Sequence, residues 1–308
     1  MGGSSPHSTF SSLSPDELRR RIREAELAAA ERQFSPTLAE RLNDLLSKVN
    51  SRDDIKISAR LDDVKAILRD ELETQFELKF GGSVAKHTFV DGLSDVDMLL
   101  VMKEERQLPR TILDQLASRL AIELKGRAKV STGRIAVTLT YSDEDEIQLV
   151  PAVREGQTLH VPRWREDSWS PIDPDKFRKG LTKRNEECGM KLVPVIKLAK
   201  SINGTLPEGQ QLSGYHIESM AIAAFKDYSG PKTVEKMLPE FFKRMTELVK
   251  APMRDSTGQS VHVDADLGKA NSAERKLLSA SLDRIARRME NATAAQSLSQ
   301  WNGILGDQ

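Results

Sequence analysis

Apolar residues recur at spacings of three and four along most of the chain, and at spacings of two in a shorter middle part. The first spacing lines one face of a helix and the second lines one face of a strand. Ser14-Pro15-Asp16-Glu17 reads as a helix start: a capping serine, proline at the first helical position, then acids in the first turn. The pattern predicts a helix from there to about Arg32. Ser35-Pro36 opens a second helix in the same way, and Ile57, Leu61, Val64, Ile67 and Leu68 mark a third over 53–74. Strands are expected at Phe76–Phe80, Asp97–Met102, 128–131, 134–141 and 146–150, the last ended by Pro151. A helix at Arg110–Lys125 separates the second strand from the third. After Asp173-Pro174 the pattern turns helical, over 174–187, 190–203, 213–228, 231–250 and from Asn271 to about Met289. A polar loop, Met253–Ala270, interrupts this helical part.

This order predicts an α+β fold. We place a boundary near residue 170, with the N-terminal helices and the sheet in 14–170 and a helical domain in 171–308. The N-terminal helices are expected to pack on the second part as well. Residues 1–13 are polar, lack the apolar run of a signal peptide, and are expected to form a disordered leader.

Composition narrows the function. The chain has 308 residues, 38% hydrophobic and 30% charged, enough to bury a sizeable core. Lys+Arg and Asp+Glu both number 46, and this zero balance disfavours a stable grip on long nucleic acid. No stretch approaches the ~20 apolar residues of a membrane-spanning helix. Cys188 is the single cysteine, so no intrachain disulfide forms, which suits a reducing cytoplasm.

The chemistry concentrates between Phe80 and Met102. Gly81-Gly82-Ser83 follows a strand, and Asp95-Val96-Asp97 opens the next one. The glycines let the backbone turn tightly and approach a ligand closely, and Ser83 offers a hydroxyl to a phosphate. On an extended strand Asp95 and Asp97 fall on one face. Two adjacent carboxylates repel unless a cation lies between them. Mg²⁺ takes oxygen ligands and shares them with substrate phosphates, so the pattern fits a platform for a metal and a triphosphate.

These residues resemble the signature of the polymerase-β-type nucleotidyltransferases. The similarity is to the oligoadenylate-synthase-like branch and the bacterial CD-NTases, the cyclic-oligonucleotide synthases of CBASS antiphage defence. It rests on Gly82, Ser83, Lys86, Thr88, Ser94, Asp95 and Asp97. The resemblance implies a mixed sheet with flanking helices, a C-terminal helical domain and an active-site cleft between two lobes. It implies nucleoside triphosphates as substrates, phosphates over Gly82, Ser83 and Lys86, and Mg²⁺ (with Mn²⁺ as a substitute) on Asp95 and Asp97. The product would be a cyclic or linear oligonucleotide read by a downstream effector.

The family carries a third carboxylate on a later strand, where this chain has Gln148. A glutamine oxygen can bind a metal but cannot neutralise its charge or act as a base. Glu146 lies two residues earlier, on the same strand face. Three readings stand: Glu146 replaces the missing acid, the site works with two aspartates, or the chain binds nucleotide without efficient turnover. Downstream, the resemblance places Lys197 and Lys200 on the triphosphate, Ser213 and Tyr215 near the nucleotide with Tyr215 stacking on the base, and Asp255 in the base-pocket loop. Glu218 would orient a neighbour, and His216 is read as structural. His262, Asp264 and Asp266 are read as a solvated loop. The rival activities are an RNA-tailing nucleotidyltransferase, which needs a basic track this sequence lacks, and a silent nucleotide sensor.

Overall fold

The computed structural model describes residues 14–50, 59–60, 62–67, 76–80, 96–102, 107–142, 146–163, 166–258 and 263–306. The leader 1–13 lies outside these residues. Helix α1 spans Pro15–Asn50 without a break, so the two expected N-terminal helices are one. Ser14 caps it, its Oγ accepting from the Glu17 amide at 3.2 Å. Pro36 lies inside the helix rather than at the start of a new one. The second half supplies Phe34, Leu38, Leu42, Leu45 and Leu46 to a continuous apolar face, and that burial outweighs the local stop signal.

The sheet contains β1 (Phe76–Phe80), β2 (Val96–Met102), β3 (Ala128–Thr132), β4 (Val137–Tyr141) and β5 (Glu146–Glu155), in the spatial order β1-β2-β5-β4-β3. β2 and β5 run parallel and the other pairs antiparallel, so the sheet is mixed. The crossover between the parallel pair holds α2 (Pro109–Glu123) and the β3–β4 hairpin. One sheet face, with Met98, Leu100, Val137, Leu139, Ile147 and Leu149, is buried against Leu113, Leu116 and Leu120 of α2.

β5 does not end at Pro151 as expected. Its first half pairs with β4 as far as Leu149, and its second half pairs with β6 (Thr158–Pro162) from Val153 onward. Pro151 falls in the gap between these two ladders and pairs only toward Leu100 of β2, so its missing N–H costs no bond on the open side. β7 (Trp169–Ile172) extends the sheet from β6. Both strands were unexpected from the sequence, being four or five residues long and carrying prolines. Trp169 is anchored by its indole N–H to the Gln107 carbonyl at 3.2 Å.

The helical part contains α3 (Pro174–Glu187), α4 (Leu192–Gly204), α5 (Gly214–Ala224), α6 (Val234–Leu248), α7 (Ala273–Ala294) and α8 (Leu298–Leu305). The second half of α1 belongs to its core, and Trp301 of α8 is fully buried there. Among the described residues no helix is long and apolar enough to cross a membrane.

Candidate functional site

At the sheet, the arrangement follows from strand direction. β1 and β2 pair antiparallel with Phe80 opposite Met98, so the end of β1 and the start of β2 lie side by side. The connection 81–95 therefore leaves and returns beside position 97. Gly82, Ser83, Lys86, Thr88, Ser94 and Asp95 are on that connection, outside the described residues. Asp97 is paired with Gln148 across the parallel β2–β5 ladder. Gln148 is paired in turn with Thr138 of β4, and Glu146 with Thr140. The Thr140 hydroxyl donates to Glu146 Oε1 at 2.9 Å, fixing that carboxylate at the strand mouth.

Glu146 and Gln148 occupy the sheet face turned away from α2, because their neighbours Ile147 and Leu149 point into the α2 core. Along the same face the positions become apolar: Leu99, Val101, Val150 and Ala152 join Leu159 in a separate cluster. The strand starts thus pair position 97 with Gln148 and set Gln148, Glu146, Thr138 and Thr140 beside one another, side chains that carry oxygen of the kind Mg²⁺ prefers. Among the described residues no group of three or more His, Cys, Asp or Glu is placed to hold a metal ion.

The helical side gathers the remaining candidates at the N-terminus of α5. Ser213 caps this helix, its Oγ accepting from the His216 amide at 3.2 Å. Lys200 of α4 is buried and donates to Glu218 Oε1 of α5 at 2.9 Å. The Lys200 ammonium also lies 3.2 Å from where a Cβ on Gly214 would sit, so a side chain there would have to push the lysine tip aside slightly. Lys197, one turn before Lys200, is partly buried. Burial first, and the Lys200 charge second, hold its pKa below the usual lysine range. A bound anion would relieve the second of these.

Tyr215 is held at both ends. Its phenol donates to Asp255 Oδ2 at 2.7 Å, and its ring lies against Phe177 of α3 with centroids 4.8 Å apart at 42°. Phe177 carried no signal in the sequence beyond an apolar position in a charged helix. Asp255, expected in the base-pocket loop, is buried.

The reading of Asp264 as solvated is corrected. Asp264 is fully buried and accepts from Arg275 Nη1 at 2.6 Å. Arg275, also fully buried, donates further to the carbonyls of Val249, Ala251, Asp264 and Gly268. A buried guanidinium needs this many acceptors and a counter-charge, and Asp264 supplies the charge. His216, read as structural, is buried with Nε2 3.5 Å from Asp264 Oδ2. Burial lowers its pKa from the ordinary value to about 4; the Asp264 charge pulls upward and the Arg275 charge adds to the fall. His262 lies outside the described residues.

Comparison with known proteins adds a domain match over part of the chain and a shared fold. Residues 37–185 match the family model of the Second Messenger Oligonucleotide or Dinucleotide Synthetase domain. No curated protein sequence matches the chain. Among solved structures, the CD-NTase CdnG of Bradyrhizobium diazoefficiens in complex with GTP superposes with a TM-score of 0.70 at 16% identity, covering 88% of this chain and 96% of that one. CdnC of E. coli MS115-1 with ATP gives 0.58 at 14% identity, covering 90% and 97%. The cyclic AMP-GMP synthase DncV of Vibrio cholerae, with the linear intermediate pppA(3′,5′)pG, gives 0.59 at 11% identity, covering 96% and 91%.

Proposed function

Because residues 37–185 match the second-messenger oligonucleotide or dinucleotide synthetase domain and the chain shares the fold of solved CD-NTases, we propose that it is a nucleotidyltransferase of that kind, joining nucleoside triphosphates into a cyclic or linear messenger. The observation carrying this reading is the pairing of Asp97 with Gln148 at the sheet end where the 81–95 connection leaves and returns. Asp97 would hold Mg²⁺ or Mn²⁺ together with Asp95, and the ion would supply charge neutralisation for phosphoryl transfer. Gly82, Ser83 and Lys86 cradle the phosphates. Lys197 faces the leaving pyrophosphate, and Lys200, paired with Glu218, sets the height of the α5 terminus beside it. Ser213 lies next to the nucleotide, and Tyr215 stacks on the base, using a π-face that accepts any base.

The site would lie in a cleft between a sheet lobe, 14–170, and a helical lobe, 171–308, with α1 reaching into the helical core. The product would act in the cytoplasm on a downstream effector of antiphage signalling. Glu146, whose carboxylate accepts from Thr140, would supply the charge that Gln148 lacks. The test is a mass spectrum of products after incubation with all four nucleoside triphosphates and Mg²⁺. Linked nucleotides with released pyrophosphate are expected; label passing only into added tRNA would overturn the assignment.

Gln148 itself favours a second reading, a nucleotide sensor without turnover. Calorimetry would then detect triphosphate binding while no product accumulates, and Gln148→Asp would raise turnover.

A further inference from the structure

Resting on the reading of Tyr215 as the base platform, we infer that Asp255 is a positioning residue that clamps the Tyr215 ring and makes no contact with nucleotide itself. Its carboxylate is buried and both oxygens are engaged within the protein. Oδ1 accepts from the Thr257 amide at 3.0 Å, the Thr257 hydroxyl at 2.7 Å and the Gly258 amide at 2.8 Å. These three donors fix the orientation of the carboxylate. Oδ2 then offers one direction, and the Tyr215 phenol takes it at 2.7 Å.

The loop carrying Asp255 is fastened from a second side. Lys176 Nζ of α3 donates to the Thr257 carbonyl at 3.0 Å. Ser256 Oγ lies 3.5 Å from where a Cβ on Gly180 of α3 would sit. The same helix supplies Phe177 against the tyrosine ring. Loop, α3 and α5 thus form a closed triangle around one aromatic side chain. A tyrosine ring moves about two torsions. A charge-assisted hydrogen bond at its tip and a ring on its flank remove both before the ligand arrives. A platform ordered in advance spends less of the stacking energy on ordering itself.

The experiment measures affinity for non-hydrolysable ATP and GTP analogues by calorimetry, well below each variant's melting temperature. Tyr215→Phe keeps the ring and removes the donor. Asp255→Asn keeps the side-chain shape and an oxygen for the loop donors but weakens the bond to the phenol. Each variant is expected to raise Kd by about 3- to 10-fold. The double variant is expected to be no worse than either single one, since both remove the same interaction. A Kd raised by Asp255→Asn but not by Tyr215→Phe would assign Asp255 to the nucleotide and overturn the clamp. Lower melting temperatures with unchanged Kd in both variants, while Tyr215→Ala loses binding, also overturn it but leave the base platform standing. Unchanged Kd in Tyr215→Ala overturns platform and clamp together.

Discussion

At the residue scale, the site reading puts its weight on carboxylates at the start of two strands. Asp97→Asn is expected to lower pyrophosphate release at least ~100-fold while the melting temperature stays near that of the wild type, because on the proposed function it removes a metal ligand and keeps the side-chain size. Wild-type turnover in that variant would exclude the metal assignment. Glu146→Gln separates the readings of Gln148: a loss of similar size makes Glu146 the substitute acid, and a rate within about twofold removes it from the site.

His216 makes a different prediction. Its native pKa of about 4 lies below the ordinary value of 6.5, so the unfolded chain binds the extra proton between those two pH values. Stability from keeping the imidazole neutral is present above about pH 6.5 and is lost as pH falls toward 4, by about 3 kcal/mol at ~1.4 kcal/mol per unit. The urea midpoint of the wild type should fall more steeply over this range than that of His216→Gln. Parallel curves would remove His216 from the acid response.

At the element scale, the junction of α4 and α5 depends on one buried ion pair. Lys200→Met takes the ammonium away from the buried Glu218 carboxylate, with an expected cost of about 3–5 kcal/mol in chemical unfolding. Replacing both, as Lys200→Met with Glu218→Leu, should recover much of that loss, since the desolvation penalty of both charges then disappears. A double variant as unstable as the single one would show that the pair is not the source of the cost.

The same scale explains what the sequence made legible. Strand β2 and helices α4, α5 and α6 could be placed within a few residues, because their apolar spacing and caps agree with their final burial. Ser213 both signals and performs its capping. Pro36 and Pro151 misled for the same reason: each is a local stop whose cost is offset by tertiary pairing or packing. The burial of Asp264 was not legible, because its partner Arg275 is a helix residue on the far side of a loop. Phe177 and the Tyr215–Asp255 bond were hidden likewise, as contacts between elements that no local pattern encodes.

At the scale of the whole molecule, ligand binding and stability are linked. A nucleoside triphosphate that binds only the native chain stabilises it by about 2.7 kcal/mol at a hundred times its Kd. The melting temperature is therefore expected to rise with triphosphate and Mg²⁺ together. The Mg²⁺-dependent part of that rise should vanish in Asp97→Asn. An equal rise in both proteins would place the ion elsewhere.

The parallel ladder between β2 and β5 has a temporal consequence. Its two members are separated along the chain by a whole helix and a hairpin, so Asp97 meets Gln148 only after that excursion has closed. Such closures are slow compared with helix formation. A nascent chain would thus own its lysine helix and its tyrosine early or late, but could gather its oxygen row only once the excursion had folded back. A slip of one residue at that moment would send every member of the row to the opposite side of the sheet.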